Sequence, residues 1–236
     1  DTLLNSENIK YLEKSVDFME FTLYLKKMNA PIVDFAASPM QYDRTDDRAK
    51  MLLRFGMLCT DMAYLKIIAG KVQLPEYDIV LQKYVKELNL TNIFKNSFEE
   101  YVSTISAKEM NDESFNELIA KCKADRIQLV NYAKVSNEDF LIYTTIGTFI
   151  ESLYIMDSYK KDKNFPLLKA KLNQTIVDNG APMFHFFENF WIKVVDNPKY
   201  DNYKLYLSKI KPIYEVILEK TKTQTPLTDE ERQKMS

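Results

Sequence analysis

Apolar side chains recur along this chain at alternating intervals of three and four, the spacing of one helical face. Ile9, Leu12, Val16, Met19 and Leu23 predict a first helix over Ser6 to Met28, ended by Asn29, Ala30 and Pro31. The stretch to Asp43 contains Pro31, Ser38 and Pro39 and reads as an ordered loop. Thr45 is then expected to cap a second helix with Asp46 and Asp47 in its first turn and Gly70 at its close, since a hydroxyl and carboxylates satisfy the N–H groups exposed at a helix start. Further helices are predicted over Glu76 to Leu88, Thr91 to Ser106, Asp112 to Ala133, Asn137 to Lys161, Leu167 to Asp178, Pro182 to Val195 and Tyr200 to Lys222. Ser136 and Asp139 have the spacing of a capping box at one start, and Pro182 stands just inside another. Pro212 is expected to kink or break the last long helix, because proline lacks the N–H and crowds the preceding turn.

The fold class is therefore all-α, a single bundle of eight or nine helices. No Pro/Gly/Ser linker divides the 236 residues, so one domain over 1–236 is expected, with the polar tail 223–236 frayed or loosely docked. The tail contains a second capping-box pattern, Thr228 to Glu231. A hydrophobic content of 46% is ample for a packed core. Only four glycines are present, too few for the turns of an all-β or doubly wound fold.

Charge removes one class of partner. With 32 basic and 34 acidic residues the net charge is -2, which gives no field to gather nucleic acid or an anionic membrane. The stretch Phe140 to Tyr159, free of positive charge, is interrupted by Glu151 and Asp157 and falls short of a membrane span. Cys59 and Cys122 lack CxxC spacing and read as buried thiols rather than a disulfide or zinc framework. The start at Asp1 reads as that of a processed or trimmed chain.

His185 is the single histidine, which excludes the Glu-x-x-His pairs of a two-metal bundle and the HExxH zinc motif. No metal and no cofactor is expected. His185 reads as a partly buried ring bonded to a neighbour such as Glu188, within a run of Met183, Phe184, Phe186, Phe187, Phe190 and Trp191 that is apolar around most of its helix. That run is core or, less favoured, a partner surface. No phosphate loop, GxSxG or GxGxxG is present, and Ser158 with Lys161 fits S-x-x-K without the partner motifs of penicillin-binding enzymes.

Two carboxylates stand out. Asp61 falls on one line with Asp47, Lys50 and Arg54, a narrow stripe read as the solvated side of its helix, where it would face water or pair with Arg54. Glu151 lies between an apolar arc (Ile142, Ile146, Phe149, Ile150, Leu153) and a small polar one (Thr144, Thr145, Thr148, Ser152), in a helix with no basic residue between Ser136 and Tyr159. A buried Glu needs a partner or gives up its charge, so Glu151 is expected to bond a tyrosine or basic group on a facing helix. Gly56, Asp61 and Tyr64 echo Gly147, Glu151 and Tyr154 with the spacing off by one residue, a match ascribed to chance rather than to a repeat.

Leu25-Lys-Lys-Met-Asn-Ala-Pro31, Gly56 leading to Asp61-Met-Ala-Tyr64, and Ile150-Glu-Ser-Leu-Tyr154 together resemble uncharacterised, mainly helical predicted lipoproteins of Gram-negative bacteria. The resemblance covers roughly residues 20 to 160, carries over no functional residues, and implies export to the periplasm or outer membrane. Membrane association would come only from a lipid anchor on a cysteine ahead of Asp1, outside this chain. The favoured expectation is a non-enzymatic, exported domain that binds a partner or supports the envelope. The alternative is a small-molecule binder whose pocket is lined by Tyr64, Tyr154, Phe187 and Trp191 and oriented by Glu151 or Asp61, with His185 among its candidate contacts. A carboxylate hydrolase requires two acids converging across an open cleft, and Asp61 with Glu151 is the pair it would use.

Overall fold

The computed structural model describes residues 6–33, 47–71, 73–91, 102–105, 110–136, 138–159 and 201–223, with a few isolated positions between 185 and 231. Its elements are all helical: α1 (Ser6–Lys14), α2 (Phe18–Lys27), α3 (Arg48–Ile67), α4 (Pro75–Glu87), α5 (Asp112–Ser136), α6 (Glu138–Ser158) and α7 (Asp201–Thr223). The all-α class holds. The count of eight or nine helices gives way to seven among the described residues; the helices expected over 167–178 and 182–195 lie largely outside them, and of 91–106 only 91 and 102–105 are described, as helical. One domain is the expectation from the missing linker; contacts group the chain into two compact units, 17–162 and 1–16 together with 163–236.

The predicted first helix is two helices, because Asp17 starts a new one. Its carboxylate accepts from the Met19 and Glu20 N–H groups at 2.9 and 2.8 Å, while Glu20 returns a bond to the Asp17 N–H at 3.2 Å. This reciprocal box makes residue 17 a helix start despite the unbroken apolar spacing across it. The cap of α3 is likewise Asp47, which accepts from Ala49 and Lys50, rather than Thr45, which lies outside the described residues.

Helix ends follow the sequence more closely. Asn29, Gly70 and Asn89 take left-handed backbone conformations with φ of 50°, 66° and 57°, so each stops the helix before it. After α2 the Ala30 N–H reaches Leu25 O and the Asn29 N–H reaches Lys26 O; after α4 Leu90 and Asn89 repeat the pattern to Val85 and Lys86. These paired bonds satisfy carbonyls that the helix itself leaves open. Pro75 occupies the first turn of α4, where its missing N–H costs nothing.

In the 17–162 unit α3 is the interior helix. From Leu58 to Ile67 every residue is buried, which leaves no solvated side to that stretch. Its most extensive partner is α6, with α2 and α4 packed against other faces. In the other unit α7 continues through Pro212, so of the expected kink or break the break does not occur; proline removes one helical bond and the turns on either side continue. The Thr228–Glu231 box noted in the sequence forms, with Thr228 N–H to Glu231 Oε2 at 2.8 Å, and Glu231 lies 2.9 Å from Lys220 Nζ on α7.

Candidate functional site

The α3–α6 crossing is set by two glycines. A Cβ on Gly56 would stand 2.1 Å from Thr144 O, and one on Gly147 would stand 2.0 Å from Leu53 O, so each helix lies directly against the other's backbone. The small polar arc of α6 faces this contact and is buried at Thr144, Thr148 and Ser152. Its hydroxyls are satisfied locally: Thr144 donates to Phe140 O at 2.6 Å, and Ser152 to Thr148 O at 2.7 Å. Hydroxyls that bond back to their own helix can enter a core without a partner helix to receive them. Thr148 also reaches across to Gly56 O at 3.4 Å.

One turn beyond the glycines, the two carboxyls meet. Asp61 on α3 is fully buried and Glu151 on α6 is 2% exposed. The solvated reading of Asp61 is thus corrected: the stripe through Lys50 and Arg54 leaves solvent as α3 runs into the interior. Glu151 is buried, and the facing group it bonds is the Asp61 carboxyl rather than the expected tyrosine or base. Two carboxyls in hydrogen-bond contact need a proton between them. Burial is the main cause that pushes the Glu151 pKa up to about 9, followed by the Asp61 charge and their mutual hydrogen bond. The pair accordingly keeps one proton between its two carboxyls at neutral pH.

Tyr77 on α4 completes the junction. It is 6% exposed, and burial together with the nearby charges of Asp61, Glu151 and Glu76 pushes its phenol well above the usual range. Among the described residues neither the Tyr77 hydroxyl nor Glu151 Oε1 has a hydrogen-bond partner. Tyr77 was not singled out by the sequence; α4 carries it on the face opposite its exposed Ile79, and nothing in the spacing distinguishes it from core.

The remaining candidates that are described have contacts of their own. Tyr64 is fully buried and its hydroxyl accepts from the Val33 N–H at 2.9 Å and donates to Val33 O at 3.4 Å, which ties the segment after α2 to α3. Tyr154 is 47% exposed on α6. His185 stacks on Tyr11 with ring centroids 5.2 Å apart, and its Nδ1 lies 3.8 Å from Glu188 Oε2. Phe187 and Trp191 lie outside the described residues. Cys59 and Cys122 are buried free thiols, and burial pushes both well above the ordinary thiol pKa.

A second buried charge cluster was missed altogether. Arg126 of α5, 5% exposed in its side chain, contacts Glu20 Oε2 and lies 3.5 Å from Asp17 Oδ2. It thereby holds α5 against the capping box that starts α2. The only signal available was the Asp17–Glu20 spacing itself, because α5 is otherwise rich in solvated charge.

Among the described residues no group of three or more His, Cys, Asp or Glu side chains is placed to hold a metal ion, and no helix is long and apolar enough to cross a membrane. No family model matches the chain, and no curated protein or solved structure matches it.

Proposed function

We propose that this chain is a non-enzymatic helical domain that acts by binding a partner or supporting structure at the bacterial cell envelope. What supports the non-enzymatic part is the placement of the two acids. Asp61 and Glu151 are 0% and 2% exposed behind a helix crossing at backbone contact, whereas hydrolysis by paired carboxyls uses an open cleft that admits substrate and water. One acid holds the proton that lets both be buried, so the pair fixes the register of α3 against α6. Export and a lipid anchor rest on the resemblance of the three short stretches described above.

The test is cross-linking of the anchored chain in its native envelope, followed by recovery under denaturing conditions. Capture of the same envelope component by wild type and by Glu151→Gln is the expected result. Turnover of a glycoside or ester by wild type that Glu151→Gln abolishes would overturn the reading.

A further inference from the structure

The α3–α4–α6 junction holds more negative character than its structural role requires. Glu151 Oε1 and the Tyr77 hydroxyl are both more than nine-tenths buried, and among the described residues neither has a partner. Buried oxygens left without partners are rare in folded proteins and point to something held between them. The acidic groups that act on the Tyr77 phenol are Asp61, Glu151 and Glu76, and with one proton held between them the Asp61–Glu151 pair carries a single negative charge at neutral pH. The lysine nearest along α3, Lys66, is turned to Asp78 of α4 at 3.8 Å, and the charged groups buried on α2 and α5, Glu20 and Arg126, are paired with each other.

We propose that this junction is an internal site for one small, singly charged cation, ammonium or an alkali ion, held by Glu151 Oε1 and the Tyr77 hydroxyl oxygen beside the Asp61 carboxyl. This goes beyond the function proposed above and does not depend on it. Three oxygen-bearing groups from three helices match the N–H donors of an ammonium ion, and the same hard oxygens suit an alkali ion. A divalent ion fits poorly, because calcium takes six to eight oxygens and magnesium keeps much of its water, which a sealed junction does not admit. No proton has to leave: the Glu151 Oε2 hydroxyl keeps its bond to Asp61, and the cation takes the carbonyl-type Oε1. Since the surrounding residues are buried, the ion enters as the chain folds and stays.

The chain is unfolded in denaturant and refolded at pH 7 in ammonium, potassium, sodium or choline chloride at equal ionic strength, choline being too bulky to enter. A Tm about 3 °C higher in at least one small cation than in choline is expected, and which one identifies the ion. Tyr77→Phe and Glu151→Leu, which remove the two ligand oxygens, should each abolish that difference. An equal Tm in all four salts, or a difference that survives both substitutions, overturns the proposal. A measurement that needs no variant uses wild type refolded in rubidium or 15N-ammonium chloride and then desalted into choline. Close to one retained ion per chain supports the site, and none retained from either salt overturns it.

Discussion

Replacement of Glu151 by glutamine isolates the proton that the folded chain keeps at the α3–α6 contact. An ordinary glutamate loses its proton near pH 4.5, and burial beside Asp61 delays this to about 9. Between those values the unfolded chain carries Glu151 ionised and the folded chain carries it protonated, so folding takes up a proton. Stability from this group is therefore complete below about pH 4.5 and falls as pH rises towards 9. The limiting slope is about 1.4 kcal/mol per pH unit. From pH 5 to pH 8 wild type should lose about 4 kcal/mol relative to Glu151→Gln, which cannot ionise and keeps a donor for Asp61. Urea unfolding followed by far-UV circular dichroism, in choline chloride at several pH values, gives the difference curve directly. The variant should match wild type or fall slightly below it at pH 5 and exceed it at pH 8. Parallel curves for the two proteins across this range would refute the protonated pair.

Other expectations follow from the same contacts. Gly147→Ala drives a Cβ into Leu53 O and should cost about 3 kcal/mol or prevent folding, measured by Tm against an exposed Ala120→Ser control. Arg126→Leu leaves Glu20 buried without its guanidinium, a loss on the order of 3 to 5 kcal/mol; if Glu20→Gln in the same chain recovers none of it, the charge argument fails. Cys59 and Cys122 should resist Ellman's reagent in the native protein and react fully in denaturant, and rapid native labelling would contradict their burial. Tyr64→Phe removes the hydroxyl that serves the Val33 amide and should lower stability by about 1 to 3 kcal/mol, while a neutral result would mean that water replaces it.

The helical class was legible because the three-and-four spacing and the stop residues agree. Asn29, Gly70 and Pro75 mark helix boundaries where left-handed backbone or a missing N–H makes the choice local. The break at residues 15–17 was hidden, since apolar spacing runs straight across it and only the Asp17–Glu20 box marks it. Asp61 was misread for a different reason. A helix's own periodicity tells which residues share a line, and the first turns of that line are wetter than its end, but whether the end meets water depends on what packs there. The same limit applies to α6, whose threonine and serine arc enters the core because Thr144, Thr145 and Ser152 bond back to their own helix while Thr148 reaches Gly56 O. The pairing behind the Gly56–Asp61 and Gly147–Glu151 echo was present in the sequence as two matched sets. It reflects two helices facing each other across one crossing rather than a repeated unit.

At that crossing the obstacle to any larger residue is a peptide carbonyl on both sides. A mutation that crowds a side chain can be relieved by trimming its neighbour, whereas main-chain oxygens of Thr144 and Leu53 offer nothing to trim. Suppressors of a change at Gly56 or Gly147 should consequently never map to the facing positions. The two sites tolerate substitution independently of everything around them, which is to say hardly at all.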